Sequence, residues 1–213
     1  MAKNKPAAFR TLPKDQRRER IIWAAKSMFL EKGFDAANMD DVAARAGTTK
    51  PTVYAHFATK EALFAAVVEL VKGFYLGKLK DPSAYAADPV EAVARFCARF
   101  LELVSWRDAV GLQRMALATA RHSPELTRTV YDTAYGEAYR ALARYLKDRK
   151  LCRAPDREAY LLLSATAGAA VIGYLYGVDD PHPNLPDDDH IGRHIDCAAI
   201  YAVVKRLSAG WRA

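Results

Sequence analysis

The stretch Val42-Ala-Ala-Arg45-Ala-Gly47-Thr-Thr-Lys50-Pro51-Thr-Val-Tyr54-Ala-His56-Phe57 decides how the rest of the chain is read. Val42, Ala43 and Ala46 recur at helical spacing and stop at Gly47, the residue type that most readily takes the left-handed conformation closing a helix. Asn38 stands ahead of them as an N-cap, and Asp40 and Asp41 complement the helix dipole in the first turn. A second short helix is expected from about Thr49 to Phe57, because Pro51 falls in its first turn, where a missing N–H breaks no helical bond. A longer helix from Lys14 to Lys32, stopped by Gly33, precedes both. This is the spacing of a helix-turn-helix, although a plain three-helix bundle can share it.

Charge distribution points the same way. The 213 residues carry a formal net charge of +7, and residues 1–60 hold 12 basic against 6 acidic side chains, so nearly all of the excess lies in the quarter that contains the two short helices. An anionic partner, if there is one, is therefore met by the N-terminal part. Alanine far outnumbers the β-branched residues, which predicts an all-α fold.

Outward from the motif, residues 1–13 are expected to be a flexible basic arm, with Pro6 and Pro13. Residues 14–60 form the helix-turn-helix domain and 61–80 a connecting helix whose Leu63, Phe64, Val67, Leu70 and Val71 make an apolar stripe. Residues 81–213 form a second domain with helices at about 89–105, 107–121, 124–149, 155–178 and 187–208. About nine helices result, with no convincing strand. The uncharged run Ala159 to Val178 has the length of a membrane span, but its flanks Asp156, Glu158, Asp179 and Asp180 are acidic, so it is read as a buried or dimer-forming helix. The N-terminus has no apolar secretory segment, and Cys97, Cys152 and Cys197 read as reduced and buried, which together place the chain in the cytoplasm.

The side chains at the start of the second short helix carry the chemistry of base reading. Thr49, Lys50, Pro51 and Thr52 sit where such a helix enters the major groove; Lys50 suits guanine O6 or N7, Thr52 a base or phosphate, and Pro51 a thymine methyl. Thr49 and Pro51 could equally be only the cap and first residue of the helix. Tyr54 and His56 can bond phosphate oxygens, with a half-buried packing role as the alternative for Tyr54. Lys60 is a phosphate candidate at the next helix start, against a plain solvated lysine; Arg45, Asn38 and Arg17 or Arg18 are weaker ones.

Gly33-Phe34, Ala43-Ala-Arg-Ala-Gly47, Pro51-Thr-Val-Tyr-Ala-His-Phe57 and Lys60-Glu-Ala-Leu63 closely resemble the N-terminal domain of TetR-family transcriptional regulators, over residues 17–64. Ala55 stands where the family's type member has Trp, so no operator sequence carries over. Arg121-His-Ser-Pro-Glu-Leu126 resembles the AefR-type subgroup. The resemblance implies a homodimer that reads a pseudo-palindromic double-stranded DNA operator, most often as a repressor, and a C-terminal domain whose small-molecule effector releases the DNA.

For that second domain, Phe96, Phe100, Trp106, Met115, Tyr131, Tyr135 and Tyr174 are candidates to line a pocket for an apolar or aromatic effector, though each could be ordinary core. Tyr139 belongs to the same group, and Arg114 could meet an anionic ligand or solvent. Small residues Ala165, Ala169 and Gly173, with Ile195 and Ala199 on the last helix, are candidates for a dimer seam or for packing within the chain. His190 and His194 have metal-ligand spacing but read more simply as an exposed helix start, so no metal and no cofactor are expected. The chain has no Gly-rich phosphate loop, G-x-S-x-G elbow or paired-carboxylate pattern to support an enzyme, and no membrane partner is expected.

Overall fold

A computed structural model describes residues 9–187, 190–192 and 195–211. Its helices are α1 (Lys14–Ala36), α2 (Met39–Ala46), α3 (Lys50–His56), α4 (Lys60–Leu76), α5 (Pro89–Val104), α6 (Arg107–Thr119), α7 (Pro124–Tyr131), α8 (Glu137–Asp148), α9 (Pro155–Tyr176) and α10 (Cys197–Leu207). A π turn, Asp132–Gly136, joins α7 to α8 into one run. Among the described residues the only extended pairing is an isolated bridge at Trp106 and His182, so the all-α expectation holds.

The chain divides into two compact units, one of residues up to Val71 with Met115–Thr129, the other of Lys72–Arg114 with the residues from Val130 onward. This division falls inside α4 at Val71, whereas the expected boundaries at 60 and 80 enclose that helix as a connector, and the segment at 115–129 was expected in the second domain. Within the first unit, α1, α2 and α3 close on Ile21, Ala25, Phe29, Val42, Ala46 and Val53, all at most 1% exposed. Phe29, Phe34 and Phe64 form a ring cluster with centroids 5.2–5.7 Å apart, two of the three contacts edge to face. The local signals act as their residue types dictate. Asn38 Oδ1 accepts the Asp41 N–H at 2.8 Å, and Gly47 closes α2 at φ 71°, letting the N–H groups of Gly47 and Thr48 reach the carbonyls of Ala44 and Ala43. Gly33 breaks α1 at φ 80°, ψ 169°, with one further turn to Ala36. Of the expected arm, Phe9–Thr11 forms a 3-10 turn with Phe9 buried, and residues 1–8 lie outside the described residues.

In the second unit α5 is the central helix, capped by Asp88 on the Glu91 N–H at 2.8 Å with Pro89 in its first turn. It packs against α9 and α10, and α8 packs on α9. Burial on nearly every side of α5 includes an ion pair, Arg99 Nη1 to Glu102 Oε2 at 3.1 Å, both side chains 2% exposed. Glu102 also accepts the N–H of Gly192 at 2.6 Å, which ties down the connection between α9 and α10.

The helix expected at 124–149 runs from Pro124 to Asp148 and contains the π turn, in which a Cβ on Gly136 would push aside the end of the exposed Asp132 side chain. Two expectations need correcting here. The last helix starts at Cys197 rather than 187, since Gly192 takes φ 91° and Asp196 supplies the cap, so Ile195 is not on it. Of the cysteines only Cys97 is buried, and burial pushes its thiol up to about 12; Cys152 is half-buried and Cys197 exposed.

Candidate nucleic-acid interface

The turn Gly47–Thr49 sets α3 against α2 so that Val53 faces the core while Thr49, Lys50, Pro51, Tyr54 and Ala55 face solvent. This is the half of α3 that the sequence marks for base and phosphate contact. The Thr49 and Thr52 hydroxyls lie 2.9 Å apart, so Thr49 bonds a side chain rather than capping the helix through its own hydroxyl. Tyr54 is 44% exposed, which removes the half-buried packing alternative.

The cations around α3 are held by carboxylates of the same unit. Lys50 Nζ donates to Asp40 Oδ2 at 2.8 Å, and this partner raises the lysine pKa. Arg45 makes a two-bond fork with Glu31, Nη1 to Oε1 at 2.5 Å and Nη2 to Oε2 at 2.7 Å; the same fork raises the arginine and lowers the glutamate. Lys32 pairs with Asp41 at 2.6 Å. All these side chains are between 37% and 62% exposed, so each pair is cheap to open and each cation can exchange its carboxylate for a phosphate. Sequence reading missed these acidic partners; their one signal was the run of Glu31, Asp40 and Asp41 in an otherwise basic region.

Lys60 is placed differently from expectation. Its ammonium donates to the carbonyls of Phe34, Asp35 and Ala37 at 2.8, 3.2 and 3.2 Å and lies 4.6 Å over the Phe34 ring. It therefore closes the carboxyl end of α1, where a cation meets favourable partial charge, instead of standing free for DNA. Asn38 is similarly occupied, since its amide also donates to Asp41 at 3.2 Å. His56 is half-buried, and burial first, then Arg17, Lys14 and Arg18, hold its pKa below the ordinary value.

The expected effector residues do not converge on one cavity. Phe100 and Tyr135 meet edge to face at 6.0 Å, and Tyr131 lies 5.3 Å from Tyr135, whose hydroxyl donates to Gln113 Oε1. Phe96 packs instead on Tyr85, Tyr174 on His182, and Trp106 is 6% exposed. Met115 belongs to the first unit. Arg114 is exposed, and its Nη2 donates to the Tyr174 carbonyl at the end of α9. A cleft of about 370 Å³ lies elsewhere in the second unit, between α5 and α10, beside Ala94, Arg95, Ala98 and Tyr201.

On α9, Leu161, Ala165, Ala169, Ile172 and Tyr176 are all exposed and share one helical stripe. Gly173 is half-buried at the edge of that stripe, next to the Asp179 carboxylate. Ala199 is exposed on α10, and Ile195 is half-buried outside the helix. α9 is long and apolar enough to cross a membrane by length and composition alone. Among the described residues no three His, Cys, Asp or Glu side chains group as metal ligands; His194 lies outside those residues.

Two family models match the chain: bacterial regulatory proteins of the tetR family over residues 21–67, and the AefR-like transcriptional repressor C-terminal domain over residues 91–196. The transcriptional activator FasR of Mycolicibacterium smegmatis is 45% identical over 58 residues, 27% of this chain and 26% of that protein. The regulator YerO of Bacillus subtilis is 34% identical over 67 residues, 32% of this chain and 23% of its own length. The likeness to these curated relatives thus spans about a quarter of their length. Among solved structures, a TetR-family regulator from Mesorhizobium loti has a TM-score of 0.75 at 22% identity, covering 95% of this chain and 100% of its own. The flavonoid-responsive regulator FrrA has a TM-score of 0.70 at 26% identity, covering 91% and 93%. With a DNA-reading motif at the front and an AefR-like domain behind it, the chain belongs to the TetR family of transcriptional regulators and is not an enzyme.

Proposed function

We propose that the chain is a cytoplasmic, homodimeric repressor that holds a pseudo-palindromic operator through α3 and releases it on binding a flat aromatic effector. The observation that carries this reading is the solvent face of α3, where Lys50, Pro51 and Tyr54 stand clear of the core. Lys50 is the base reader and Tyr54 the phosphate anchor, with Arg45 turning to the backbone when its Glu31 fork opens. Lys60 acts on DNA only indirectly, by keeping α1 and α4 together.

One motif per chain supports a dimer, because such modules read two half-sites related by two-fold symmetry. The stripe Leu161, Ala165, Ala169, Ile172 and Tyr176 supports α9 as its seam, since a solvent-facing apolar stripe of this length calls for a partner surface. The description of the second matching family as repressors supports the sign of regulation. The likeness to a flavonoid-responsive regulator, together with the rings of Phe100, Tyr131 and Tyr135, supports an aromatic effector.

Footprinting of the DNA flanking the gene with the full chain tests the reading. Protection of one inverted repeat, lost on adding a flavonoid, is the expected outcome. Absence of any protected site in adjacent or genomic DNA would contradict operator binding, and protection indifferent to a panel of planar aromatics would contradict the effector class.

A further inference from the structure

We propose that Lys14, Arg17 and Arg18 of α1, with His56 of α3, form a clamp for one DNA phosphodiester that takes up a proton as it closes, so that operator affinity rises as pH falls. This rests on the DNA-reading function proposed above and adds to it a site and a linkage.

The first turns of α1 hold three cations, where the helix dipole favours anions. Asp15 and Glu19 of the same helix line a groove against α4 that Arg18 shares, whereas Lys14 and Arg17 do not line it. Arg18 lies 4.9 Å over the Phe57 ring, which fixes its guanidinium beside the end of α3. Arg17 has a buried Nε with no hydrogen-bond partner. His56 is half-buried at the end of α3, next to the Phe57 ring that Arg18 covers, and burial first, then Arg17, Lys14 and Arg18, hold its pKa below the ordinary value. From α4, Lys60 is engaged at the far end of α1 and Glu61 is exposed; Lys50, at the other end of α3, is paired with Asp40. Among the described residues no ion pair joins Lys14, Arg17 or Arg18 to a carboxylate, unlike Lys32, Arg45 and Lys50, and a bound anion would relieve the positive charge around His56.

A phosphodiester supplies one permanent negative charge and oxygens that accept from guanidinium and imidazolium alike. The sign of the linkage follows from the positions of the two pKa values. In the free chain His56 titrates below its ordinary value; beside a phosphate its charged form is favoured and it titrates higher. Between those two pH values the free protein lacks the proton that the complex holds, so raising the pH through that window weakens binding, by up to about tenfold per unit of separation.

The test uses the full chain and a fluorescent duplex recovered by the wild type from a random-sequence library. Affinity is measured from about pH 6 to about pH 8, the range in which histidine titrates, and over a range of salt. We expect the wild type to bind about tenfold more tightly at the acid end, and His56→Gln to bind equally at both ends. Arg17→Gln is expected to keep the base preference and lower the salt slope by about 0.9. Wild-type affinity independent of pH, a pH dependence retained by His56→Gln, or an unchanged salt slope in Arg17→Gln would each overturn the clamp while leaving DNA reading intact. Failure of the wild type to bind any duplex would overturn both. Should His56→Gln fail to fold, the wild-type pH profile and the Arg17→Gln salt slope still decide.

Discussion

The two compact units use ion pairs of opposite kinds. In the recognition unit the pairs Lys32–Asp41, Arg45–Glu31 and Lys50–Asp40 lie at the surface, whereas the second unit encloses Arg99–Glu102 at 2% exposure inside its central helix. An exposed pair contributes little to stability because water and salt already screen both partners, so it can be traded for a phosphate at small cost. A buried pair cannot be opened without leaving a charge in a poorly polarisable interior. The same chemistry thus serves exchange in one unit and shape in the other.

Breaking the buried pair is expected to give the largest effect on that contrast. Glu102→Ala leaves Arg99 uncompensated and should cost about 3–5 kcal/mol in urea unfolding, with much of it recovered in Arg99→Met/Glu102→Leu. Similar stability for the single and double variants would show that the pair is not what holds α5. Next comes Gly136→Ala, whose Cβ makes the exposed Asp132 carboxylate swing aside and loosens its pair with Arg140. A loss of up to about 1 kcal/mol is expected, read as a lower melting temperature. In the recognition unit, Lys50→Ala should leave melting unchanged but weaken operator binding by about tenfold and relax preference at one base pair. Smallest of all, Glu31→Ala should barely move the melting temperature and should leave DNA affinity equal or tighter, since it removes the carboxylate that competes for Arg45. A marked loss of stability in this variant would erase the difference between the two kinds of pair.

The recognition unit was the more legible of the two because its signals are local. The Asn38 cap, the left-handed Gly47 and Pro51 in the first turn of α3 each act within a few residues of themselves. The carbonyl partners of Lys60 were illegible for the converse reason: they lie 23 to 26 residues earlier, and only the packed α1 and α4 bring them within reach. In the second unit the π turn was invisible, since Tyr131, Tyr135 and Tyr139 keep a four-residue spacing through it. The late start of α10 had a signal, Gly192, which was outweighed by the regular spacing of Ile191 and Ile195 with the alanines that follow. The aromatic residues show the limit of composition as a guide: Phe100, Tyr131 and Tyr135 meet, whereas Phe96, Trp106 and Tyr174 are engaged in separate packing.

The most direct test of the central claim, that the exposed end of α3 reads DNA sequence, is selection from a random duplex library with the wild-type chain and with Lys50→Ala. The account predicts that the wild type enriches one inverted repeat with half-site centres separated by one helical turn, about 34 Å, or a multiple of it, and that Lys50→Ala loses information at a single symmetric position of that repeat. Enrichment of no sequence by the wild type, or of an identical sequence by both proteins, would contradict it.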